Sequence, residues 1–201
     1  MKKWLMVIFI LILAGFLRFY RLDDLFVFGG DEEYQSILAQ TIVKNFHIIW
    51  VGVTAGHIGF YLGPLWTYFT AFWLFLSKGS PMILGSVSSG IGILTTALII
   101  YTGKKLFSHT VGLLTGLLYA TLPLIVFFDQ KYWNPSLVPF LSVAMLLSLS
   151  QVKANHKWWL VFCFCFGLIF HTHLSLLPFS LVAASMLFTQ KIDKKISFWV
   201  Y

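Results

Sequence analysis

From Met82 to Tyr101 the chain runs without a single charged side chain. As a helix rising 1.5 Å per residue, that stretch reaches about 30 Å, the thickness of a bilayer's hydrocarbon core. Similar apolar runs lie at about Trp4–Tyr20, Val111–Phe128, Leu137–Leu149, Trp158–Phe170 and Ser175–Phe188. Charged residues make up 10% of the sequence, against about 25% in a soluble domain. The expected fold class is therefore all-α and membrane-embedded, with residues 1–201 forming one polytopic membrane domain. The net charge of +7 comes from Lys and Arg clustered between the apolar runs. That placement marks topology determinants rather than a nucleic-acid partner.

The first run opens on Lys2-Lys3, as a signal peptide would, but has no small-x-small cleavage site and continues into Arg18-Phe19-Tyr20-Arg21. It reads as an uncleaved anchor that starts in the cytoplasm and ends in an aromatic and arginine girdle. Residues 57–76 decide the rest of the topology. Phe60–Leu76 is apolar enough to cross, yet it is dense in aromatics and carries Gly63-Pro64. If it does not cross, Lys2, Lys3, Lys104, Lys105, Lys153, Lys157, Lys191, Lys194 and Lys195 face the cytoplasm. Arg18, Arg21, Lys44, Lys78 and Lys131 then face outward, nine cations against five. If it crosses, four face inward and ten outward. The excess of cations on cytoplasmic loops favours the first arrangement. The expectation is six crossing helices, both termini cytoplasmic, and a first outer loop over 21–81 holding one or two surface helices. Asp31–Phe46 supplies one of these, with Tyr34, Ile37, Leu38, Thr41, Ile42 and Phe46 at helical spacing, best laid flat on the membrane. Cys163 and Cys165, two apart in a helix, cannot bridge each other and read as small buried apolar residues.

Three of the seven acidic residues stand together at Asp31-Glu32-Glu33, after Gly29-Gly30. Carboxylates beside a membrane span are costly to desolvate, so they belong where water and a polar substrate reach them. A purely structural reading is also open, in which Asp31 caps a helix and the glutamates favour its positive end. The topology brings two further corners to the same outer side. In Asp129-Gln130-Lys131-Tyr132-Trp133-Asn134-Pro135, Trp133 offers a ring for stacking on a substrate and Asn134 an amide for hydrogen bonding, or the pair can simply open the next helix at the headgroups. His171 and His173 do not share a helical face, so holding a metal beside Asp31 and Glu32 would need a turn or extended geometry. The other reading is interfacial histidines at a helix end, and no metal and no cofactor is predicted.

The order of these features resembles a known family. A short stub and one span precede the Asp31-Glu32 pair that opens an amphipathic helix. An aromatic stretch follows with His57, five residues, then Gly63-Pro64-Leu65. Next come a span ending Gly103-Lys104-Lys105-Leu106-Phe107 and one running from Val111-Gly112-Leu113 to Leu122-Pro123-Leu124. This looks like the N-terminal portion of a GT-C superfamily glycosyltransferase, nearest to family 39 with its protein O-mannosyltransferases. His57 departs from that family's His-Pro-Pro-Leu motif, since its Gly-Pro-Leu comes later.

The resemblance implies a membrane glycosyltransferase, a hexosyltransferase that moves a sugar from a polyprenyl-phosphate donor to a lipid, glycan or protein acceptor at the outer face of the cell membrane. Carried over, Asp31 is the general base and Glu32 its partner. Asp129, Lys131, Trp133, Asn134, His57 and Arg21 are the candidate substrate-binding residues, with Lys131 or Arg21 offsetting the charge of the leaving phosphate. Family members run longer and carry more spans. The chain is thus expected to be a truncated product, an inactive remnant, or one of two subunits whose partner carries the other half. The alternative is a non-catalytic membrane subunit. A transporter fits less well, because the acidic residues avoid the centres of the spans.

Overall fold

A computed structural model describes residues 3–56 and 59–189. Its regular structure is helical, with one isolated antiparallel bridge, Thr54 to Tyr61, and no strand among the described residues. The helices are α1 (Lys3–Phe19), α2 (Leu22–Leu25), α3 (Asp31–Asn45), α4 (Leu65–Leu76), α5 (Met82–Leu106), α6 (His109–Thr121), α7 (Pro123–Gln130), α8 (Val138–Gln151), α9 (Trp158–Ile169) and α10 (Phe179–Thr189).

At 25 residues, α5 is the one described helix long and apolar enough to cross a membrane by itself. The expected third span is bent instead. Pro123 has no N–H for the carbonyl four residues earlier, and α6 and α7 meet at 64°. Taken as one broken span, the pair gives a second crossing. Trp4–Phe19, Leu65–Leu76 and Trp158–Ile169 are apolar but shorter. The exposed faces agree with a membrane setting: Trp4, Phe9, Ile12 and Phe16 on α1 and Leu160 and Phe164 on α9 all point outward. A soluble domain would bury such a surface.

α5 is the hub. One apolar cluster joins it to α1 and α6 through Ile10, Ala14, Ile100 and Ala120. Another joins it to α3 and α4 through Ala39, Trp66, Leu74, Leu84 and Tyr132. A third fills α8, α9 and α10 around Leu141, Met145, Phe162 and Ile169. Small residues let α5 and α6 approach closely. A Cβ on Gly112 would sit 2.5 Å from the Ile100 carbonyl oxygen, and one on Gly103 would sit 2.8 Å from the Gly112 Cα.

Three local expectations need correcting. The acidic cluster is not all open to water: helix α3 buries Glu32 together with Gln35, Ser36 and Ala39, and leaves Asp31, Glu33, Tyr34 and Ile37 exposed. The reason is the partners it finds there. Gln35 Nε2 donates to Thr70 Oγ1 at 3.2 Å, and that hydroxyl also shares a 2.8 Å bond with the Tyr132 hydroxyl. Arg18, read as part of an interfacial girdle, is fully buried among the helices. Cys165 is buried as expected, whereas Cys163 faces outward, and both are free.

Candidate active site

The acidic corner is built by Gly30. Its φ of 59° and ψ of −109° suit a residue without a side chain, and the turn starts α3 at the next position. Asp31 is therefore the first helical residue rather than the cap, and no side-chain cap bond forms. Its carboxylate has no hydrogen-bond or ion-pair partner among the described residues. It lines a cavity of about 490 Å³ together with Tyr34, Trp133, Asn134, Pro135 and His173. The acidic corner, the tryptophan bend and the histidine turn thus open onto one hollow. Val53 to Gly56 also line it, on a loop closed by Leu62 N–H to Val53 O at 2.9 Å. His57 follows that stretch in sequence but lies outside the described residues.

Glu32 does not reach the hollow. It is fully buried, with Lys131 Nζ 3.3 Å from its Oε1. Burial raises its pKa above the usual 4.5, and the helix-start amide and Lys131 only partly oppose that rise. The Lys131 ammonium also lies 4.8 Å over the Trp133 ring, which stacks on Phe128. The loop base is tied down from two sides, since Ser88 Oγ and Ser136 Oγ both donate to the Lys131 carbonyl, at 2.8 and 3.0 Å.

Asp129 stands apart from the hollow. Its Oδ2 accepts from Arg18 Nε at 2.9 Å and Nη2 at 2.6 Å, while the Tyr119 hydroxyl donates to its Oδ1 at 3.3 Å. It lines a separate, apolar cavity of about 330 Å³ that shares Trp133 and Pro135 with the hollow. Arg21 is exposed and pairs with Asp24 at 2.9 Å, away from the hollow's lining.

The two histidines face different ways, and no metal-ligand cluster of His, Cys, Asp or Glu forms among the described residues. His173 lines the hollow, and its Nδ1 accepts the Ser175 N–H at 3.2 Å. His171 Nδ1 accepts the Leu65 N–H at 3.3 Å, with its ring packed on Gly63, where a Cβ would collide with it. Gly63 N–H donates to the Phe170 carbonyl at 2.8 Å. The Gly63-Pro64-Leu65 stretch therefore docks the first loop onto the histidine turn before α4 begins.

Sequence reasoning missed Arg18. Its guanidinium donates to the Tyr119 and Ala120 carbonyls at 3.2 and 3.1 Å, two groups left open by the break at Pro123. Its own carbonyl accepts from Gln130 Nε2 at 3.0 Å. Gly92 leaves room for this, because a Cβ there would strike both Asp129 and Arg18. A signal was present: a lone arginine in the last turn of an apolar helix, with a proline and an aspartate closing another.

The sequence profile of the dolichyl-phosphate-mannose-protein mannosyltransferases matches residues 62–201. The chain belongs to that family. The matched stretch takes in the Trp133 bend and the histidine turn and begins after Asp31. No curated protein and no solved structure matches the chain. The family is one of membrane-embedded glycosyltransferases, and it implies a polyprenyl-phosphate sugar donor and an acceptor.

Proposed function

We propose that the chain transfers a sugar from a polyprenyl-phosphate donor to an acceptor hydroxyl, with Asp31 as general base, in the hollow at the outer face of the cell membrane. The observation that supports this most is the convergence of Asp31, Trp133–Asn134 and His173 on one cavity from three distant parts of the chain. In the proposed step the acceptor oxygen attacks the anomeric carbon and its proton passes to Asp31. The bond from that carbon to the phosphate oxygen breaks on the opposite side, and the lipid phosphate leaves. Asp31 suits the role because its carboxylate is unpaired and opens to the hollow. Lys131, held between Glu32 and the Trp133 ring that lines the hollow, would offset the leaving phosphate's charge. Trp133 and Asn134 would meet the sugar. Glu32 acts in this reading through Lys131, while Asp129 and Arg21 contact no substrate.

The proposed setting is six crossings with cytoplasmic termini, the broken α6–α7 pair counting as one and residues 57–76 staying outside. The activity test uses membranes carrying the full chain and a radiolabelled polyprenyl-phosphate sugar. Asp31→Asn should lower transfer by about 10²–10⁴-fold, the usual contribution of a general base. Full transfer by that variant would remove Asp31 from the chemistry, and transfer by the parent no greater than in membranes lacking the chain would leave a non-catalytic membrane subunit as the better reading.

A further inference from the structure

A second cavity, about 630 Å³, lies between α1, α5 and α6, lined by Trp4, Val7, Ile8, Ile100, Lys104 and His109. It is far from the hollow. Ser88, which anchors the Lys131 loop, and Lys104 are separated by about 24 Å along α5 at 1.5 Å per residue. Its walls combine two chemistries. Val7, Ile8 and Ile100 make an apolar trough open to the outside of the bundle, and Trp4 is exposed at its end. Lys104 has no acidic partner among the described residues, and His109 Nε2 has no hydrogen-bond partner.

The charge at this end is unbalanced. Lys2 and Lys3 precede Trp4, and Lys105 follows Lys104. The sequence has no Asp or Glu before position 23 and none between Glu33 and Asp129. His109 also opens α6, whose first turn carries the positive end of the helix dipole, with Ser108 Oγ accepting the Val111 N–H at 3.2 Å.

We propose that this cavity binds an anionic phospholipid, one acyl chain lying along Val7, Ile8 and Ile100 and the phosphate between Lys104 and His109. A free anion would use the cations but leave the trough empty, and a zwitterionic lipid would fill the trough without answering the net positive charge. Basic pockets between membrane helices favour acidic headgroups for this reason.

The test is independent of any transferase activity. The purified full chain in detergent is titrated with palmitoyl-oleoyl phosphatidylglycerol or the matching phosphatidylcholine, and bound lipid is counted by native mass spectrometry. Phosphatidylglycerol should bind in preference. Lys104→Gln should weaken it about fivefold, the worth of one lysine near an acidic headgroup. Lys153→Gln, which removes an exposed lysine outside the cavity, should change nothing. Ile8→Trp should also reduce retention, by filling the trough while keeping every charge, which guards against a Lys104 variant that fails to fold. Equal binding of the two lipids, an undiminished Lys104→Gln variant, or equal losses at Lys104 and Lys153 would overturn the proposal. So would displacement of the lipid by millimolar inorganic phosphate, which would make this a site for a free anion.

Discussion

The Glu32 carboxylate lies buried at the start of α3, with the Lys131 ammonium 3.3 Å from one oxygen and no hydrogen-bond partner on the other. Its raised pKa has a consequence for stability. Between its ordinary value of 4.5 and the raised one, the folded chain holds a proton that the unfolded chain has released. Stability therefore falls as pH rises through that window. Glu32→Gln should remove this slope, so that thermal melts of the variant and the parent in detergent diverge as pH increases above 4.5. Parallel melting curves across the window would mean that Glu32 keeps its charge throughout. Gly63 makes a second case at this scale. A Cβ there would drive the His171 ring off the Leu65 amide, so Gly63→Ala should destabilise the chain by about 1–3 kcal/mol, as overpacking does. Chemical denaturation would measure it.

At the scale of elements, the break between α6 and α7 is held by a residue from α1. Pro123 opens the backbone ladder, and Arg18 takes up two of the released carbonyls along with Asp129. Removing one partner of such a buried pair leaves the other charge uncompensated, at a cost of about 3–5 kcal/mol. Arg18→Met should thus destabilise strongly, and replacing Arg18 and Asp129 together, by Met and Asn, should recover part of the loss. A double variant no better than the single one would show that the pair is not coupled. The α5–α6 contact offers a simpler test. At Gly112 the atoms in the way are backbone, 2.5 and 2.7 Å from a built Cβ, so neither helix can yield by rotating a side chain. Gly112→Ala should lower the melting temperature more than Gly90→Ala on the same α5–α6 pair, where a Cβ meets open space.

For the whole molecule, the question is which side each helix end faces. If residues 57–76 stay outside, Lys78 and Lys105 lie on opposite sides of the membrane, with α5 crossing between them. After Cys163 and Cys165 are replaced by Ser, a Lys78→Cys variant in intact cells should react with an impermeant maleimide and Lys105→Cys should not. Reversed labelling would turn the arrangement over and move the proposed hollow to the cytoplasmic face.

Much of this was legible in the chain itself, because an apolar helix is specified by an uninterrupted apolar stretch and a helix start by a glycine turn and acidic residues. The limits of α1, α3, α8 and α9 and the Trp133 bend are local properties of that kind. Tertiary structure alone decided where the polar side chains went. Nothing in α3's spacing says that its Glu32 and Gln35 side turns inward, since that depends on Lys131, Thr70 and Tyr132 arriving from elsewhere. Asp129 and Arg18 become partners only when Pro123 bends the third apolar segment back over the end of the first. Periodicity records which face of a helix is apolar, whereas a buried charge is settled by whichever distant group comes close enough to neutralise it.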